Sequence, residues 1–188
     1  MASTDAEIVS SSQIGDPAAF VELVWRHTTA IHGYLSRRTG RQSADDLLGE
    51  VFLQAFKSRA SYDSRWRDAR PWLYGIARNV LRAHWRVSTR PQPRVEAAIS
   101  DPWPEVDEQL DAESQRSELK HALALLGDDE REILLLFAWE RLSSGEIATT
   151  LGIPDGTVRS RLHRARAHMR KHVSDPSLVP GGRTSWEN

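Results

Sequence analysis

Cysteine is absent from the 188 residues, which excludes disulfide stapling, thiolate metal sites and cysteine nucleophiles and leaves a reducing interior as the expected setting. No uncharged apolar run reaches the roughly 18 residues that a membrane helix needs. The N-terminus carries Asp5 and Glu7 with no basic cluster or apolar stretch, so it lacks the pattern of a secretion signal. A cytoplasmic protein with no membrane insertion is expected. Also missing are a Gly-rich phosphate loop, a zinc-protease His-Glu-x-x-His pattern and a nucleophile elbow, so no enzyme signature stands out and no cofactor is expected. Strand-like alternation is lacking too, which leaves an all-α fold. The length suits one ordinary domain or two small helical ones, with 39% hydrophobic residues to build cores.

What is present is charge in blocks. The net charge of −1 hides eight arginines between Ser64 and Arg94 against Asp68 alone. From Val95 to Glu118 the sign reverses, with eight acids against Arg116, and a second basic block, Arg159, Arg161, Arg164, Arg166, Arg170 and Lys171, has no acid between Gly156 and His172. Such segmentation is more informative than the total.

Pro91, Pro93, Pro102 and Pro104 interrupt any helix between the two halves. Two small helical domains are therefore expected at residues 14–90 and 107–172, joined by a flexible acidic linker at 91–106 and followed by a loose tail at 173–188. In the first, Asp16 and Pro17 suit a helix start with Phe20, Val21, Val24 and Trp25 as its apolar stripe, and Ser43 suits the cap of a helix carrying Leu47, Leu48, Val51, Phe52 and Phe56. Pro71 suits the opening of a helix through Trp72, Ile76, Val80, Leu81 and Trp85. In the second, Leu119, Leu123 and Leu126 form one stripe, and Asp128 or Asp129 can cap a helix with Ile133, Leu134, Phe137 and Ala138.

The sharpest local pattern lies at residues 143–171. Ser143 and Glu146 form a capping box, Gly152 stands where a left-handed C-cap is needed, and Pro154 with Asp155 restarts a helix after a short turn. That is the helix-turn-helix spacing that lays a second helix in the DNA major groove. Val158, Leu162, Ala165 and Met169 fall on its inner face, leaving Arg159, Ser160, His163 and Arg164 to read base edges and grip phosphates. The plain alternative is a helical hairpin with a solvated basic face. The spacing of His163, His168 and His172, with no third ligand, does not make a metal site.

Arg78, Arg82, Arg86 and Arg90 recur every four residues, a stripe able to follow a phosphate backbone. Tyr62, Trp66 and Trp72 alternate with Arg65, Arg67 and Arg70, and Asn79, His84 and Trp85 follow. Aromatic faces beside guanidinium groups suit unstacked bases of a single strand, although Trp72 and Trp85 suit packing equally well. Asp45, Asp46 and Glu50 read as helix N-terminal acids on a solvated or protein-binding face, not as a catalytic pair.

In order and spacing, residues 44–52, 71–79 and 156–166 resemble the bacterial RNA polymerase sigma factors of the sigma-70 class, specifically the small extracytoplasmic-function type. The resemblance covers most of residues 15–172 and implies two helical domains, regions 2 and 4, with no enzyme activity of their own. It implies core RNA polymerase and promoter DNA as partners, duplex at the −35 element and melted at −10, and an anti-sigma factor as an inhibitor. Carried over by residue, Asp45, Asp46, Glu50 and Gln54 would bind core polymerase. Tyr62, Trp66, Arg78, Asn79, Arg82 and Trp85 would capture the −10 element, and Arg159, Ser160, His163 and Arg164 would read −35. The loop at 61–66 does not identify the base it would capture, and the linker, with Trp103, would follow the RNA exit path or stay hydrated. A helix-turn-helix regulator that binds an operator without polymerase, or a helical module for acidic proteins, remains open on the residues alone.

Overall fold

The structure is a computed structural model that describes residues 3–87 and 110–174, with the side chains of residues 87 and 110–116 left aside. Among them every regular element is a helix, and none is long and apolar enough to cross a membrane. The expected linker, with Trp103 and Arg90, and the tail beyond Ser174 lie outside the described residues. The chain divides into two compact units, residues 1–93 and 94–188.

The first unit contains α1 (Asp5–Ile14), α2 (Phe20–Thr39), α3 (Arg41–Lys57) and α4 (Arg70–Val87), with 3₁₀ turns at Pro17–Ala19 and Arg59–Ser61. Leu23, Ile31, Tyr34 and Leu35 of α2 meet Ala44, Val51, Phe52 and Ala55 of α3 and Leu73, Tyr74, Ala77, Val80 and Leu81 of α4, all buried. Tyr34 and Tyr74 pack with ring centres 5.2 Å apart. Only Gly40 separates α2 from α3, at φ 81° and ψ 163°, a conformation nearly confined to glycine.

Several expected faces turn out rotated. Val21 and Trp25 of α2 are 53% and 79% exposed, because the buried stripe instead runs through Phe20, Leu23, His27, Ile31, Tyr34, Leu35 and Arg38. In α4 the stripe centres on Leu73 and Ala77, leaving Trp72, Ile76 and Trp85 half-buried. Ser43 does not cap α3, since the helix already begins at Arg41 with Gly40 as its cap. Asp16 does cap, its carboxylate accepting from the Ala19 amide at 3.3 Å, but for the 3₁₀ turn that Pro17 opens. The unit also begins before residue 14: α1 buries Ile8 and Val9 against it.

The second unit comprises α5 (Leu110–Ala124), α6 (Asp128–Ala138), α7 (Ser144–Leu151) and α8 (Asp155–His172). Val158, Leu162, Ala165 and Met169 of α8 are at most 2% exposed, against Ile133, Leu134 and Leu136 of α6, Ile147 of α7 and Leu123 and Leu126. The cap of α6 is Gly127, with Asp128 and Asp129 in its first turn. There the two acids favour the helix dipole without capping. Arg131 closes the far end of α5, donating to the carbonyls of Leu123 at 2.9 Å and Leu126 at 2.6 Å. Val173 is buried, and Ser174 bonds Glu118 through its amide at 3.0 Å and its hydroxyl at 2.7 Å, so the tail starts later than 173.

The turn between α7 and α8 follows its punctuation. Glu146 accepts the Ser143 amide at 2.7 Å while the Ser143 hydroxyl accepts the Glu146 amide at 3.3 Å. Gly152 ends α7 in the left-handed region at φ 67°. A Cβ there would meet nothing within 4 Å, so the cost of a side chain is conformational. Gly152→Ala is expected to lower the second unit's unfolding free energy by about 1 kcal/mol, read by chemical denaturation of the full chain.

Asp5, 4% exposed, is the most interconnected acid of the first unit. Its Oδ2 lies 2.7 Å from His27 Nε2 and accepts the Ala69 amide at 2.8 Å, while Oδ1 accepts from Arg26 at 2.6 Å. Burial alone would raise its pKa, but the bonds from His27, the Ala69 amide and Arg26 outweigh it and hold the group at about 2 instead of 3.8. A carboxyl depressed on folding stabilises above its unfolded pKa and loses that contribution as pH falls through its folded one. The first unit should thus lose about 2 kcal/mol between roughly pH 5 and pH 2 through this group. Urea unfolding across that range should show a larger loss in the parent than in Asp5→Asn.

Candidate nucleic-acid interface

On α4, Arg78, Arg82 and Arg86 follow one another at one-turn spacing, and among the described residues no carboxylate pairs with any of them. Like charges four residues apart on a helix repel, so this face is held at a small cost that an anionic chain would offset. Trp85 is half-buried at the same end, its indole N–H enclosed and without a partner among the described residues.

The loop before α4 sorts its aromatics differently from the expectation. Tyr62 is 8% exposed, its ring edge-on to Trp72 at 5.2 Å, and its hydroxyl donates to the Trp66 carbonyl. Burial, followed by the negative charges of Asp5, Asp68 and Asp63, pushes its pKa up. The Tyr62 ring is therefore no open stacking face in this conformation; it supports the backbone of Trp66, which is 36% exposed. The Arg65 guanidinium is held by Asp63 through three bonds of 2.6 to 3.0 Å, so it is less available than Arg67.

On α3, Asp45 stands apart from the row of Asp46, Glu50 and Gln54. Asp45 lies 2.8 Å from His32 Nε2 of α2. Asp46, Glu50 and Gln54 recur at helical spacing, Asp46 and Glu50 exposed and the Gln54 amide donating to Glu50 at 2.7 Å. A groove of about 560 Å³ separates α3 from α4, with Glu50 and Gln54 on one wall, Asn79 and His84 on the other, and Leu47, Ile76 and Val80 among its apolar lining. Asn79 is thereby grouped with two of the α3 residues.

In the second unit Arg159, Ser160, His163 and Arg164 are all exposed on α8. The sequence suggested a face without counter-charge, but the counter-charges come from other positions in the fold. Arg164 bonds Glu130 at 2.9 Å and Arg161 bonds Asp129 at 2.7 Å, both acids at the start of α6. Arg159 pairs with Asp155 one turn back, and Ser144 and Arg159 hold that carboxyl below the usual range. Arg166 is half-buried over the Phe137 ring at 4.4 Å, so part of it packs within the fold. Phe137, Ser143, Ser144, Arg159, His163 and Arg166 surround a cavity of about 380 Å³ at the start of α7.

Sequence reasoning missed α1 and its contacts with the loop. The signal was there: Thr4 and Glu7 form a capping box, with the Thr4 amide on Glu7 at 2.7 Å and the Glu7 amide on Thr4 at 3.3 Å. Asp5, His27 and Asp68 could also place ligand atoms within 4.8 Å of one another. Both Asp5 oxygens are already matched by protein groups, which makes the cluster a structural node.

Two family profiles match the chain: Sigma-70 region 2 over residues 23–90 and Sigma-70, region 4 over residues 116–169. The chain is 33% identical over 176 residues to the ECF RNA polymerase sigma factor SigE of Mycolicibacterium smegmatis, covering 87% of this chain and 66% of that protein. It is 31% identical to the ECF RNA polymerase sigma factor SigL of Mycobacterium tuberculosis, covering 86% of this chain and 93% of that one. Among solved structures, CnrH in complex with the cytosolic domain of CnrY matches at a TM-score of 0.62 and 26% identity, covering 89% of this chain and 95% of that one. With both regions matched in order and a relative aligned over nearly its whole length, the chain belongs to the extracytoplasmic-function group of the sigma-70 family.

Proposed function

We propose that the protein is a promoter-recognition subunit of bacterial RNA polymerase, which binds the core enzyme, directs it to specific promoters and favours DNA opening. The α3 row of Asp46, Glu50 and Gln54, with Asp45 beside it, is the core-polymerase surface in this reading. Trp66, Arg78, Arg82, Asn79 and Trp85 take the melted −10 strand, with Tyr62 supporting Trp66 from beneath. Arg159, Ser160, His163 and Arg164 take the −35 duplex in the major groove. An anti-sigma protein that covered the α3 row would prevent assembly.

The observation that carries this reading is the α4 stripe of Arg78, Arg82 and Arg86, which no acid pairs among the described residues, on the helix that follows the loop exposing Trp66. A duplex reader needs no such combination, whereas a single strand offers both phosphates and unstacked base faces. A protein that holds the opened strand more tightly than the duplex shifts the equilibrium toward opening by that difference in affinity. The bond-forming chemistry belongs to the polymerase.

The test is transcription from a pool of genomic fragments with core polymerase present. Discrete start sites that need both proteins and share upstream motifs are expected. A footprint on an operator obtained without polymerase, and no new starts with it, would establish the regulator instead.

The ion pairs on α8 generate a second expectation. Glu130 occupies Arg164 and sits near the path of the phosphates in the docked complex proposed above. Glu130→Gln is expected to strengthen holoenzyme binding to −35-containing fork DNA by about two- to fivefold at low salt, as for a partly exposed ion pair, with the gain shrinking as salt rises. Weaker binding, with loss of −35 discrimination, would mean that Glu130 orients Arg164 instead of competing for it.

A further inference from the structure

The helix α1 touches the loop between α3 and α4 at both of its ends. At the near end, Gln13 donates to the Arg59 carbonyl at 2.6 Å, and Arg59 Nε returns a bond to the Ser12 carbonyl at 3.2 Å. At the far end, the Asp5 amide donates to the Arg67 carbonyl at 3.2 Å, and the Asp5 carboxylate accepts the Ala69 amide at 2.8 Å. The eight helical steps from Asp5 to Gln13 span about 12 Å, which fixes the separation of the two loop ends. Between those anchors lie Tyr62 and Trp66, themselves joined by the Tyr62 hydroxyl on the Trp66 carbonyl.

Three features argue that this is more than packing. Ile8 and Val9 already bury α1 against the core, and its two ends also carry the polar bonds. On the loop side those bonds engage the main chain at Arg59, Arg67 and Ala69, so they set the path of the loop whatever side chains it displays. Finally, a carboxylate only 4% exposed gives directional anchorage: Arg26 and His27 of α2 hold it from one side while the Ala69 amide takes it from the other.

We propose that α1 is a positioning element for the strand-capturing loop, with Asp5 and Gln13 as its positioning residues: they fix the loop frame on which Trp66 is presented, and so set how sharply −10 sequences are discriminated. This rests on the reading of that loop as the −10 contact. Neither residue touches DNA in this proposal.

The test uses full-length Asp5→Asn, Gln13→Ala and Trp66→Ala proteins assembled with core polymerase. Transcription is measured from a matched promoter, from −10 substitutions and from −35 substitutions, alongside affinity for core. Displacing a contact group beyond its placement tolerance of roughly 0.5 Å should cut −10 discrimination by about three- to tenfold in Asp5→Asn, and less in Gln13→Ala. Discrimination at −35 and core affinity should stay at parental values, which general destabilisation would not allow. If Trp66→Ala flattens −10 discrimination while both α1 variants keep it, the positioning role is overturned and the loop assignment stands. If Trp66→Ala keeps it too, the loop assignment falls and the proposal with it. Should Asp5→Asn fail to fold, Gln13→Ala decides, since Gln13 is exposed and outside the core.

Discussion

The constraint that organises both units is how to keep several arginines on one helix face while no phosphate is present. Their mutual repulsion works against the folded state, and acids or a polyanion can offset it. The second unit answers with acids from elsewhere: Asp129 and Glu130 on α6 hold Arg161 and Arg164, and Asp155 holds Arg159. The first unit leaves Arg78, Arg82 and Arg86 uncompensated among the described residues and anchors α4 through its buried Leu73, Tyr74, Ala77 and Leu81. On the reading proposed above, the two solutions suit different targets. A helix that enters a duplex groove can exchange carboxylates for phosphates, while a stripe beside a melted strand benefits from standing open.

How much of this was legible in the sequence depends on whether the determinant was local. The turn between α7 and α8 follows from Ser143, Glu146, Gly152 and Pro154, whose conformational preferences act within a few residues. The inner face of α8 was equally readable, because Val158, Leu162, Ala165 and Met169 keep helical spacing without interruption. The all-α class and the three segments that carry the family resemblance were readable for the same reason. Where residues were hydrophobic on more than one side, as in α2, spacing could not choose the face. Val21 and Trp25 went to solvent because Leu23, Ile31 and Tyr34 meet α3 and α4.

The candidate site was legible as a set of residues but not as a set of partners. Glu130 lies 34 positions before Arg164, so no local pattern announces their pairing. Tyr62, in a stretch otherwise polar, reads as a surface aromatic until Trp72 and the Trp66 carbonyl are brought against it. Helix α1 was hidden because Ser10, Ser11 and Ser12 dilute its apolar stripe to Ile8 and Val9; only its capping box marked it.

The Asp5 node shows why such partners matter to the site. A buried ion pair contributes little net stability relative to well-packed apolar groups, because the desolvation of both charges opposes their attraction. Apolar contact, however, tolerates sliding, whereas a carboxylate shared by an imidazole, a guanidinium and a backbone amide allows little change in the angle between the elements that supply them. At Asp5 those elements are α2 and the start of α4, and the chain running between α3 and α4 ends there. The loop that displays Trp66 thus inherits its geometry from a charge placed in the first turn of a short helix. In the positioning role proposed for α1, the exposed Trp66 and the buried Asp5 are successive steps of one linkage.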